Sequence, residues 1–120
     1  MEEFDFDLIE KILLEQNDKR KIISADLYLS GDEFWNTTTI IEEGKFIRKK
    51  WFVCFGGSCW ATPMLRIKVL TDDDVFEKTF DVGKKVENDK FNMCCVKEWL
   101  QKTEIYKKLG LDLVVEDEQD

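Results

Sequence analysis

Histidine is absent from the 120 residues. That absence removes Ser-His-Asp triads, Cys-His dyads and every zinc pattern built on imidazole. Proline occurs once, at Pro63, and there is no Pro/Gly-rich linker, no internal repeat and no low-complexity tract. No run approaches the roughly 18 consecutive apolar residues of a membrane-spanning helix. Met1 is followed by Glu2, Glu3, Asp5 and Asp7 rather than by a basic, then apolar, leader. The chain is therefore expected to be made and kept in the cytosol, as one compact domain over residues 1–120 with a frayed acidic tail at 116–120.

Positive charge is also scarce. Eighteen Lys and Arg stand against 26 Asp and Glu, for a net charge of −8. Backbone binding to duplex nucleic acid needs clustered cations, so duplex DNA or RNA is not the expected ligand. Yet 43% of the residues are hydrophobic, with nine Phe and four Trp, which is too rich for a disordered chain. Lysine outnumbers arginine fifteen to three and alanine occurs only at Ala25 and Ala61, a bias typical of AT-rich coding sequence.

Hydrophobic spacing gives the elements. Phe6, Ile9 and Leu13, with Leu8 and Ile12 beside them, form the stripe of an amphipathic helix capped by Asp5 or Asp7 and fading near Gln16, Asn17 and Asp18. The period then switches to two: Ile23, Ala25, Leu27 and Leu29 alternate with Ser24, Asp26 and Tyr28. A hairpin is expected at Glu42-Glu43-Gly44-Lys45, pairing Ile41 with Phe46, its second strand running from about 46 to 55. Another turns at Thr71-Asp72-Asp73-Asp74, pairing Leu70 with Val75, Val69 with Phe76 and Leu65 with Phe80, and setting Lys68 against Glu77 on the opposite face. A helix is expected from Asp89 to Leu109 with Gly110 as its C′ residue, followed by a short edge strand at 111–115. The order predicts an α+β domain: an antiparallel sheet of five to six strands built from hairpins, with an N-terminal and a C-terminal helix packed on it.

Candidate chemistry is sparse. Cys54, Cys59, Cys94 and Cys95 make an even count without a secretion signal, and adjacent helical cysteines do not turn toward one ion. They read as free thiols, with Cys54 and Cys95 as small buried apolar residues. Gly56-Gly57-Ser58 lacks the Gly-Lys-Ser/Thr ending of a phosphate-binding loop. The carboxylate clusters Asp32-Glu33, Glu42-Glu43 and Asp72-Asp73-Asp74 fall in turns, where Asp is favoured by local hydrogen bonding. No catalytic residue, cofactor or metal ligand is assigned.

Charge is graded along the chain. Residues 1–16 and 111–120 each carry −5, and residues 46–70 carry +5. Arg48, Lys49, Lys50, Arg66 and Lys68, interleaved with Phe46, Trp51, Phe52 and Trp60, are the basic-aromatic material from which a single-strand-binding sheet face is made. Against that, alternation splits Arg48 and Lys50 from Lys49, and Glu77 and Asp81 are expected to neutralise part of the patch.

The favoured expectation is a small acidic, non-enzymatic inhibitor or immunity-type protein that occludes a basic site on a partner protein, such as a nuclease toxin or another phosphate-handling enzyme. Its contact residues would be Asp32, Glu33, Glu42, Glu43, Asp72, Asp73 and Asp74, with Trp35 or Trp60 as apolar anchor. Alternatives are a phage or viral accessory protein mimicking nucleic acid, and the single-strand-binding sheet.

Overall fold

The computed structural model describes residues 4–30, 36–50, 52–53, 60–87 and 94–116. Helix α1 covers Phe6–Lys19. Strands β1 (Lys21–Ser30), β2 (Asn36–Glu42), β3 (Lys45–Arg48), β4 (Phe52–Val53), β5 (Trp60–Leu70), β6 (Val75–Asp81) and β7 (Val86–Glu87) follow, then α2 (Cys94–Lys102), α3 (Ile105–Leu109) and β8 (Asp112–Val115). The sheet order is β6-β5-β1-β2-β3-β8, with the two-residue β4 and β7 paired to β2 and β5.

The fold is α+β, as the element order predicts, but the sheet is mixed. β8 runs parallel to β3, setting Phe46 beside Leu113 and Arg48 beside Val115. The chain between them holds β4 to β7 and then α2 and α3, more than the long connection a parallel pair requires.

α1 begins where Asp5 Oδ1 accepts the Leu8 N–H at 3.1 Å, which makes Asp5 rather than Asp7 the N-cap. The helix continues to Lys19, beyond the expected fade. It buries Phe6, Ile9, Ile12 and Leu13 against the sheet, where Ala25, Leu27, Leu29, Leu65, Ile67 and Val69 complete one core. Each fully buried Leu or Ile contributes about 1.5–3 kcal/mol.

Two bulges change the alternation in β1 and β2. Against β5, Ile22 pairs with Val69 and Ser24 with Lys68, so Ile23 is the extra residue. Ile22 rather than Ile23 therefore enters the core, and the Ile23 carbonyl accepts the Gly44 N–H at 3.0 Å. Against β1, the β2 register steps from Ile41 to Thr39, so Ile40 is extra and both isoleucines are fully buried.

The expected pairs Ile41–Phe46, Leu70–Val75, Val69–Phe76, Leu65–Phe80 and Lys68–Glu77 are all formed. The strand expected from 46 to 55 is not continuous. β3 stops at Arg48, and Lys49 takes a left-handed φ of 71°, which turns the chain out of the ladder.

Pro63 lies inside β5, opposite Leu29 of β1. Its carbonyl accepts the Val82 N–H at 3.0 Å, but proline has no N–H to return. The Val82 carbonyl instead accepts the Asp5 N–H at 2.8 Å, and Phe4 bridges Gly83. The missing ladder bond is thereby used to tie the start of α1 to the end of β6.

The expected C-terminal helix is two helices. Its start at Asp89, and Phe91 in its stripe, lie outside the described residues. At the break, Thr103 Oγ1 accepts the Ile105 N–H at 3.3 Å, and the Thr103 carbonyl accepts Arg48 Nη2 at 2.9 Å. An uninterrupted helix would give that carbonyl to Lys107, whose N–H goes to Glu104 at 3.0 Å instead. α3 ends at Gly110 in the left-handed conformation, as the C-terminal signals predict.

Candidate functional site

Two of the three carboxylate clusters come to the same end of the sheet. Lys21 pairs with Leu70, so the turn at 71–74 projects beyond the start of β1. The Gly44 N–H donates to the Ile23 carbonyl, which brings the turn at 43–44 to that same start from the other side. The 71–74 turn joins β5 to β6 and the 43–44 turn joins β2 to β3, so the turns stand about three strand spacings, or roughly 14 Å, apart across the sheet.

Each turn is built by local chemistry. Glu43 and Gly44 take φ of 52° and 75°, the paired positive angles of a type I′ turn. In the other, Thr71 N–H donates to the Asp74 carbonyl at 2.9 Å, a bond reinforced by the Thr71 hydroxyl on the same oxygen. The Asp74 N–H donates to Thr71 Oγ1 at 2.8 Å, and Asp74 Oδ1 accepts the Val75 N–H at 2.7 Å. Asp74 is thus a turn-forming residue, while Asp72 and Asp73 are exposed.

This end is not uniformly negative. A groove of about 630 Å³ runs between the chain at Lys19, Arg20 and Lys21 and the turn residues Leu70, Thr71, Asp72 and Asp73. Arg20 lies over the Phe76 ring, 4.4 Å from its centroid. Three cations beside the C-terminus of α1 suit the negative end of its dipole. They also place positive charge next to the aspartates.

The basic block of residues 46–70 is largely engaged within the chain. Arg66 Nη2 meets Asp26 at 3.3 Å and stands over the Tyr28 ring at 5.4 Å. Lys68 meets Glu77 at 3.7 Å and Lys50 meets Glu42 at 2.8 Å. Arg48 is held by the Thr103 carbonyl and the Tyr106 ring. The expectation that Glu77 neutralises part of the patch is met. The Arg66 partner, however, is Asp26 rather than Asp81, because Arg66 sits between Asp26 on one side and Thr79 on the other. The Glu42 contact raises the Lys50 pKa above its ordinary 10.5, chiefly through the hydrogen bond, with burial opposing and the charges of Glu42, Glu116 and Glu43 adding to it.

Glu43, Asp72 and Asp73 have no ion-pair partner among the described residues. Trp60 is 56% exposed but begins β5, ten residues from Leu70 and so roughly 33 Å away along the strand. It does not adjoin either acidic turn. The exposed apolar residues that do are Leu70 and Val75, 48% and 52% accessible, which face each other across the last pair of the hairpin. Nothing in the sequence pattern marked them as surface anchors, since both continue an apolar strand. Asp32, Glu33 and Trp35 lie outside the described residues, as do Cys54 and Cys59. Cys95 is half-buried, packed on the core and not part of a disulfide. Among the described residues, no group of three or more Cys, Asp or Glu is placed to hold a metal ion.

Sequence reasoning missed a second polar cluster, inside the fold. Glu10 Oε1 accepts both Trp99 Nε1 and Thr103 Oγ1, each at 3.3 Å, while Phe6 stacks on Trp99 with ring centroids 4.9 Å apart. With Arg48 on the Thr103 carbonyl, it joins α1, the α2–α3 break and β3. Its role is to hold the helices on the sheet. The one signal available was Arg48 itself, one of only three arginines.

Comparison with family models, with curated proteins and with solved structures gave no match. No helix among the described residues is long and apolar enough to cross a membrane.

Proposed function

We propose that this chain is a small acidic, non-enzymatic binding protein of the inhibitor or immunity type, which docks on a basic protein such as a nuclease toxin or other phosphate-handling enzyme. One observation carries the reading. Arg48, Lys50, Arg66 and Lys68 are occupied within the chain, while Glu43, Asp72 and Asp73, at one end of the sheet, make no ion pair among the described residues, although Lys19, Arg20 and Lys21 line the groove beside the two aspartates. The surplus negative charge is therefore the part available to a partner, and complementary potentials speed encounter and reject wrong partners. Leu70 and Val75 supply an apolar centre beside the Asp72 and Asp73 carboxylates, the arrangement in which binding energy concentrates. They replace Trp60 as the anchor nearest the acidic turns, and leave Trp60 for a separate contact at the far end of β5.

The same pairing argues against a single-strand-binding sheet face, because cations already held by Asp26, Glu42 and Glu77 are poor phosphate ligands.

The test uses two baits, the natural chain and a Glu43→Lys/Asp72→Lys/Asp73→Lys variant, in a low-salt pull-down from the source lysate. One dominant basic protein held by the first bait and released by the second supports the reading. A spread of DNA-binding proteins displaced by added DNA would favour nucleic-acid mimicry. Equal retention by both baits would remove the electrostatic mechanism.

A further inference from the structure

β6 is the terminal strand of the sheet on the β5 side. Its seven residues pair with β5 in unbroken register, without proline, glycine or bulge. The Thr71–Asp74 bond closes the hairpin, and the Val82–Pro63 bond lies at the other end of β6. Antiparallel alternation between those two bonded pairs turns the N–H and C=O of Phe76, Lys78 and Phe80 toward β5. It turns those of Val75, Glu77, Thr79 and Asp81 outward. The short Val75–Asp74 carboxylate bond agrees, since that N–H is not in the ladder. The outward N–H groups of Glu77, Thr79 and Asp81 have no acceptor among the described residues. The opposite edge, β8, is only four residues long.

An open, regular edge of this length is a template for another strand. A second copy of the chain fits it poorly. Centring a two-fold pairing on Lys78 sets Lys78 against Lys78, and centring it on Glu77 sets Glu77 against Glu77. Centring on Thr79 opposes Glu77 and Asp81 twice. Like charges directly opposite destabilise an antiparallel pair. Centring on Phe76 escapes this only by shortening the overlap to residues 74–78 and drawing in the Asp74 carboxylate that already caps Val75.

A basic strand fits well. The solvent face of β6 presents Val75, Glu77, Thr79 and Asp81; Glu77 also meets Lys68 at 3.7 Å, and Asp81 is exposed with no ion-pair partner among the described residues. The other face presents the half-buried rings of Phe76 and Phe80, with Arg20 over the first at 4.4 Å and the exposed Lys78 between them, 5.1 Å from the centroid of the second. An occupant with Lys or Arg at every second residue meets Glu77 and Asp81 on the solvent face, and apolar residues between them add no charge beside Lys78 and Arg20 on the other.

We propose that the β6 edge accepts an extended strand of a basic partner protein through the main-chain groups of Glu77, Thr79 and Asp81. This rests on the reading that the partner is basic and adds how it is held: by strand addition beside the hairpin tip that carries Asp72 and Asp73.

The probe is a blocked heptapeptide alternating Lys and Val, compared with a copy N-methylated at every second residue and with a Thr–Val peptide. Binding to the full chain is read by amide hydrogen exchange and by anisotropy at low salt. The proposal expects at least about tenfold slower exchange at Glu77, Thr79 and Asp81. It also expects at least about tenfold weaker binding of the N-methylated copy, which loses several main-chain bonds. Thr79→Pro, which removes an outward N–H not used by the β5 ladder, should weaken the peptide likewise with circular dichroism unchanged. Lys–Val binding without protection at those amides, or equal binding of the N-methylated copy, would overturn strand addition while leaving the electrostatic reading intact. Equal binding of the Thr–Val peptide would leave strand addition and overturn the basic occupant. A dimer that protects the same three amides would give the edge to a second copy and overturn the proposal.

Discussion

Arg48 Nη2 donates to the Thr103 carbonyl at 2.9 Å across 55 residues of sequence, and the C-terminal helix breaks at that carbonyl. The guanidinium also stands 5.9 Å from the Tyr106 ring. Its Nε is buried without a partner, so the Thr103 bond is the main polar satisfaction the group receives. Arg48→Met should therefore lose about 1.5–3 kcal/mol for a charge-assisted hydrogen bond, partly offset by an apolar stem at the same site. Urea unfolding measures it. A loss below about 0.5 kcal/mol would mean that Thr103 breaks the helix unaided.

Glu43 occupies a left-handed conformation that suits Asn or Gly better than Glu. Glu43→Asn should raise stability by about 0.5–1 kcal/mol, and Gly44→Ala should lower it by about 1 kcal/mol from backbone strain alone. A Cβ at Gly44 meets no atom within 4 Å, so no clash adds to that cost. Thermal unfolding of the two variants, in opposite directions, checks the turn type.

The Lys50–Glu42 pair gives a pH signature. The folded Lys50 pKa is raised, so its contribution is fully present below the ordinary value of 10.5 and is lost as pH rises through the folded pKa. Both side chains are partly exposed, 27% for Lys50 and 49% for Glu42, so the pair supplies at most about 1 kcal/mol. Natural and Glu42→Gln chains should differ in stability by that small amount at pH 9 and converge above the folded pKa. A difference that persists at high pH would assign the effect of the substitution to something other than this ion pair.

Legibility in the sequence followed how local the determining contact was. The β5–β6 hairpin was readable to the residue, because apolar matching on one face and Lys68 against Glu77 on the other independently demand one register. The turn residues at 43–44 and 71–74 were equally local. Ile22 and Ile23 offer alternation two equivalent choices, and only the bulge against β5 selects Ile22. The break at Thr103 depends on Arg48, and the end of β3 on a non-glycine residue with positive φ, so neither leaves a local mark. The parallel β3–β8 pair joins strands separated by a long crossover, where spacing carries no information on direction. At the candidate site, the acidic turns were visible as residues. Their shared end of the sheet, the distance of Trp60 from it, and the capture of Arg66 by Asp26 required the strand order.

If the carboxylates of Glu43, Asp72 and Asp73 bind a basic partner, the complex must respond to salt and to charge reversal. Its dissociation constant, read between about 50 and 300 mM salt for the natural chain and for the triple Lys variant, decides this. The natural complex should weaken at least about tenfold across that range, and the variant should lose at least about a hundredfold more. A dissociation constant indifferent to both salt and charge reversal would contradict that binding.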